Sequence, residues 1–234
     1  MLVVALGLVL LYFVTARPIA ESDPAARSAY ALTSALASDR SASIDHFVRS
    51  SSGFFLSNPN DFPNGAYYQG HYYSDSAPGA SLLALPFYQF GRMVGDLFAT
   101  IAPASDAPAE APAALSLLAI ALAGAGVALL VYAVARRLGS AILSARYAAL
   151  TVGLASALWR EAGRFGPPVV SLLLLTAALY LAFPRLPRYR NAGQTAVEKF
   201  VFSQALFIGL ILGFAFTVDY SNLVWTPLFI WSIP

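Results

Sequence analysis

The sequence predicts an all-α integral membrane protein: a polytopic helical bundle with a long extracytoplasmic first loop carrying short interfacial helices. Three observations predict it. Of 234 residues, 58% are hydrophobic and 11% are charged, with a mean hydropathy of +0.65. A soluble domain has about 25% charged residues. Apolar runs recur along the chain between short polar corners, and basic residues gather in two of those corners while acids gather in the first long loop. The net charge of +2, with its basic residues spread among apolar runs, argues against nucleic acid as a partner. The absence of cysteine excludes disulfides, thiol catalysis and cysteine–metal sites. Two histidines, His46 and His71, are too few for a His-rich metal site. No cofactor is indicated, although carboxylates alone leave a divalent cation open.

Residues 1–16 form the expected first span. Leu2–Thr15 is wholly apolar but shorter than the ~20 residues that cross a bilayer, so either its true start lies upstream or it is barely tilted. The alternative is a cleaved signal peptide with a cut near Pro18-Ile19-Ala20. Residues 17–112 make the long loop. Asp23-Pro24 reads as an N-cap with proline in the first turn. Ala25–Leu36 then reads as a short amphipathic helix with Ala26, Ala29, Tyr30, Thr33 and Leu36 on one face and Arg27 and Ser34 off it. A second short segment covers Ser43–Val48, and Ser50–Gly65 reads as an irregular loop.

Tyr67–Pro86 is the most unusual stretch. It sets four tyrosines, His71 and Asp75 beside the turn signal Pro78-Gly79 and runs straight into apolar sequence. Rings with polar tips suit a membrane–water interface, and free N–H groups at the start of the following helix favour anions. Ala80–Ile101 carries Arg92 and Asp96, which predicts an interfacial or partly re-entrant helix. Pro103–Pro112 reads as a surface linker. Spans are expected at Ala113–Ala135, Tyr147–Trp159, Val169–Phe183 and Phe200–Val218, and a further apolar run, Leu223–Trp231, stops at Pro234. The chain therefore reads as one transmembrane domain, 1–234, truncated at its C-terminus.

Charge sets the orientation. Arg136, Arg137, Arg146, Arg185, Arg188, Arg190 and Lys199 lie in two short loops whose only acid is Glu198, so those loops are expected to be cytoplasmic. The other eleven of the twelve acids then fall outside. Three distant regions converge on that face: the long loop, the Arg160–Arg164 corner and Asp219. Asp23, just after the first span, suits a general base. Arg160 and Arg164 are four apart, so a helical corner would point both the same way, and paired guanidinia suit a phosphate. A plainer role exists for each: a cap for Asp23, snorkelling for the arginines, an interfacial hydrogen bond for His71. Asp219, an acid inside apolar sequence, is harder to dismiss.

Several segments carry a resemblance. They are Glu21-Ser22-Asp23, Arg27–Leu32, Asp39-Arg40, Ser43-Ile44-Asp45, Gly70–Gly79, Ser81–Pro86, Arg136–Gly139 and Gly213–Tyr220. Together they resemble membrane glycosyltransferases of the GT-C fold, the group of protein mannosyltransferases and aminoarabinose transferases, over nearly the whole chain. The resemblance implies transfer of a sugar from a polyprenyl-phosphate donor to a glycan, lipid or protein acceptor on the extracytoplasmic face of the cell membrane. It implies Asp23 as the catalytic acid residue of the first loop. It implies Tyr73 and Asp75, with the Pro78-Gly79 turn, as the donor phosphate pocket, and Arg160 or Arg164 as the phosphate's counter-charge; His71, in the same stretch, is a further candidate for substrate binding. Two positions depart from the family pattern. Ser76 stands where the family usually has lysine, and Phe165-Gly166-Pro167-Pro168 replaces a Phe-Gly-His-type step. The alternative is therefore a catalytically inactive or truncated relative that binds polyprenyl lipid or a membrane partner. A transporter would need polar residues inside its spans, and only Asp219 comes close.

Overall fold

The computed structural model describes residues 1–19, 22–49, 65–101, 107–182, 194–225 and 227. In chain order the elements are α1 (Leu2–Val14), α2 (Pro24–Ser38), α3 (Asp45–Arg49), β1 (Gly65–Tyr68), β2 (His71–Ser74), α4 (Gly79–Ile101), α5 (Ala107–Arg137), α6 (Ile142–Ala155), α7 (Ala157–Ala162), α8 (Pro167–Ala182) and α9 (Gln194–Val218). A 3₁₀ turn, Tyr220–Trp225, follows α9. The chain is mostly helical, as its composition implies.

Helix α5, 31 residues long, is the spine. Its first half lies against α4, with Gly91 set directly on the backbone of Pro112. Its second half receives α1, α6 and α8, with Tyr12 and Ala162 at Gly124 and Leu173 at Gly126. Helix α2 and the β-hairpin lie on the α4 side of this assembly. The interior is built from small residues: Ala80, Ala84, Ala121, Ala125, Ala145, Ala149 and Ala162 are buried. Large apolar side chains stand outward instead, among them Leu6, Leu10, Phe90, Met93, Leu97, Phe98 and Leu210. Small residues let helix backbones approach closely, and Tyr12, Ile120, Phe165, Val169 and Val170 fill the space that remains.

Among the described residues, one helical stretch, Glu110–Arg137, is long and apolar enough to cross a membrane. Helices α1, α6 and α8 have 13, 14 and 16 residues. At 1.5 Å per residue they reach roughly 20–24 Å, short of a ~30 Å hydrocarbon core. By length alone, these three helices do not meet what a crossing requires.

Other expectations need correcting. The aromatic knot opens as an antiparallel hairpin, β1 with β2, within a chain that is otherwise helical where it is described as regular. The linker at 103–112 is helical from Ala107 onward. Pro112 sits early in α5, where it forfeits only the bond to one carbonyl in the first turns. The span expected at Tyr147–Trp159 is broken at Ser156, whose backbone is extended and whose Oγ accepts the Leu158 N–H at 3.1 Å to start α7. Ser34, expected off the buried face of α2, is buried and bonds the Tyr88 hydroxyl at 2.6 Å. The loop expected at Ser50–Gly65 lies outside the described residues except for Gly65, which opens β1, and residues 183–193 of the basic loop lie outside them too.

Candidate functional site

The site begins where α1 ends. The Arg17 N–H donates to the Gly163 carbonyl at 3.0 Å, and the Trp159 indole donates to Thr15 Oγ1 at 3.1 Å. A Cβ on Gly163 would stand 3.3 Å from the Ala16 backbone, so the corner after α7 lies flat on the chain leaving α1. Phe165 is buried there and meets the Tyr30 ring of α2 edge-on at 5.9 Å, and Tyr30 in turn lies 5.8 Å from Tyr88 of α4. Burial first, and the neighbouring Tyr88 second, push the Tyr30 hydroxyl above its ordinary pKa and keep it protonated.

On this aromatic floor sit four charges. Asp23 caps α2 through Oδ1, which accepts the Ala26 N–H at 2.9 Å. Its Oδ2 accepts from the Arg164 guanidinium, joining positions 141 residues apart. Glu161 Oε1 accepts from Arg160 at 2.9–3.0 Å and lies 3.7 Å from Arg164. The run Asp23–Arg164–Glu161–Arg160 is thus a chain of alternating charge with no net charge. Arg164 is mostly covered at 22% exposure, whereas Arg160 is open at 71%. The two arginines do not share a continuous helix, yet both guanidinia reach Glu161 Oε1. Helix α7 ends at Ala162, Gly163 caps it, and Arg164 leaves along the following turn toward Asp23.

The remaining candidates lie along α2. Ser74, at the end of β2, bonds Ser28 at 2.7 Å. Ser28 lies five positions along α2 from Asp23, about 7.5 Å along the axis. Tyr73, half-buried, and Asp75, exposed, flank that contact. His71 is farther away. Its Nδ1 is 2.6 Å from Asp45 Oδ2, and Asp45 Oδ1 accepts the Tyr72 N–H at 2.7 Å. Burial raises the Asp45 pKa, but the Tyr72 N–H, His71 and Ser43 outweigh it and hold the carboxyl below its usual range. This second cluster rides on Ala31, Leu32 and Ala35 of α2, roughly 12–18 Å from Asp23 along the helix. His71 therefore anchors the hairpin to α3 rather than lining a pocket with Asp23. The Pro78-Gly79 turn meets a third candidate: Gly79 lies on the Val218 backbone, beside Asp219, whose Oδ1 accepts the Ser221 N–H at 2.9 Å.

No protein-family model, curated protein or solved structure matches this chain. The site must therefore be read from its own chemistry. Among the described residues, no group of three or more His, Asp or Glu side chains is gathered to hold a metal ion. Two residues of the site escaped sequence reasoning as functional partners. Glu161 carried a signal, standing three residues before Arg164, the helical spacing for an ion pair. Asp45 carried only its place at the start of a short helix.

Proposed function

We propose that this chain is a multi-pass integral membrane glycosyltransferase, taking a sugar from a polyprenyl phosphate to an acceptor on the extracytoplasmic face of the cell membrane. One observation carries the reading: Asp23 of the first loop is joined to Arg164 of a corner 141 residues away, next to Arg160. A carboxylate paired with one guanidinium, and linked through Glu161 to a second, supplies both halves of such a transfer. Asp23 Oδ2 takes the proton of the attacking acceptor hydroxyl, and the guanidinia stabilise charge developing on the phosphate as it leaves the anomeric carbon. Ala26 holds Oδ1, so the carboxylate keeps its orientation through the step. Large apolar side chains on the outside, with alanine and glycine within, suit helices surrounded by lipid tails. The partners are the lipid-linked sugar, the bilayer and a glycan, lipid or protein acceptor; no nucleic acid is involved.

The test is a transfer assay on the membrane-reconstituted protein with a polyprenyl-phosphate sugar. Asp23→Asn keeps a capping side chain but loses the base, and turnover should fall about 10²–10⁴-fold at unchanged expression. Full turnover in that variant would remove Asp23 from the chemistry.

A second reading is a non-catalytic lipid-binding relative. It is favoured by Ser76, whose N–H bonds Ser74 Oγ at 3.2 Å where the resembled family usually offers a lysine. That protein would carry polyprenyl lipid through purification, visible by mass spectrometry, and would transfer nothing.

A further inference from the structure

We infer that Arg164 is an exchangeable ligand: in the free protein Asp23 and Glu161 occupy it, and the phosphate of the lipid carrier binds by displacing Asp23. This rests on reading the corner as a phosphate site, and it concerns how that site is regulated.

The geometry supports an exchange confined to side chains. The corner is fixed to the end of α1 by the Arg17–Gly163 and Trp159–Thr15 bonds and by the burial of Phe165, none of which involves the Asp23–Arg164 pair. Asp23 is likewise anchored by its cap to Ala26, so releasing Oδ2 leaves the carboxylate in place. The pair is partly open to solvent, with Asp23 at 43% and Arg164 at 22% exposure, and exposed ion pairs break at small cost. A phosphate carries more charge than a carboxylate and offers more oxygens to a guanidinium fork, so it competes well. Arg160, held by Glu161 and open to solvent, is accessible to an arriving phosphate. The exchange also has a consequence for order. While Asp23 Oδ2 is on Arg164, the guanidinium occupies the oxygen that would receive the acceptor's proton. Donor binding frees it, so acceptor activation waits for the donor and an empty site stays idle.

The predicted signature is a change of opposite sign in two measurements. Asn at position 23 competes less well for Arg164 than Asp does, so Asp23→Asn should bind a polyprenyl monophosphate about 2- to 5-fold tighter, even as turnover is lost. Binding is measured by thermophoresis on the full chain in lipid nanodiscs, with the uncharged polyprenol of equal length as control. Arg164→Gln should lose the preference for phosphate. Glu161→Gln, which leaves Asp23 untouched, should also tighten binding and serves if Asp23→Asn folds poorly. If Arg164→Gln weakens binding while Asp23→Asn and Glu161→Gln leave it unchanged or weaken it, the corner binds phosphate but the exchange is wrong. If the wild type shows no preference for the monophosphate over the polyprenol, the phosphate-site reading falls and the exchange with it.

Discussion

Gly79→Ala tests the contact that brings the aromatic knot to the end of α9. The added methyl would stand 2.5 Å from Val218 Cγ2 and 2.7 Å from its backbone N and Cα. A side-chain tip can rotate away, but a backbone cannot, so α4 and α9 must separate. Overpacking of this kind costs roughly 1–3 kcal/mol. For a chain of this size each kcal/mol moves the midpoint by about 2–4 °C, giving a fall of roughly 2–12 °C. Gly209→Ala, on the open face of the same α9, is the control. Nothing lies within 4 Å of its added methyl. There the gain is helix propensity, up to about 1 kcal/mol, and the midpoint should hold or rise. Thermal denaturation of the detergent-solubilised proteins, scanned at one rate, gives the comparison. Equal midpoints for Gly79→Ala and wild type would mean that α4 does not start on Val218, and Asp219 would then lose its place beside the Pro78-Gly79 turn.

Tyr88→Phe leaves Ser34 buried without its partner and should cost about 1–3 kcal/mol in the same assay; Ser34→Ala added to it should recover part of the loss. Asp45 has a lowered pKa in the fold, so its contribution to stability is full above the ordinary carboxylate value near 4 and is lost as pH falls through its folded value. The protection of the Tyr72 amide against hydrogen exchange, taken relative to its intrinsic rate, should therefore fall as pH drops below about 4, and Asp45→Asn should remove that fall. Because the chain has no cysteine, single cysteines at Tyr68 and Arg160 can be labelled cleanly in intact cells. Both should react with an impermeant reagent, and labelling from opposite sides of the membrane would separate the hairpin from the arginine corner.

Much of the local structure was legible. Asp23-Pro24 starts α2 as expected because a cap is settled by the first turn's own N–H groups. The hairpin was missed although it had a signal. Tyr67 pairs with Tyr72 and Tyr68 with His71 across Gln69 and Gly70, and those two both take positive φ, at 49° and 86°, as a two-residue hairpin turn requires. The aromatic run drew the reading toward an interface belt instead. The break at Ser156 was hidden because an apolar run shows its hydropathy but not where a serine hydroxyl will claim an N–H. The burial of Ser34 was hidden for a related reason. Helical periodicity separates polar from apolar residues, and only Tyr88 on another helix makes a buried serine satisfied.

By itself the sequence determined a helical, apolar chain with acids and arginines at its polar corners, because composition, caps and turn chemistry act over a few residues. Only the tertiary structure decided which charges meet. Asp23 reaches Arg164 because the Arg17 N–H and Thr15 hold the end of α1 against the α7 corner. His71 goes to Asp45 because α3 packs along the second half of α2. Pairings across such separations follow from how small residues let helices dock, and no local period encodes that.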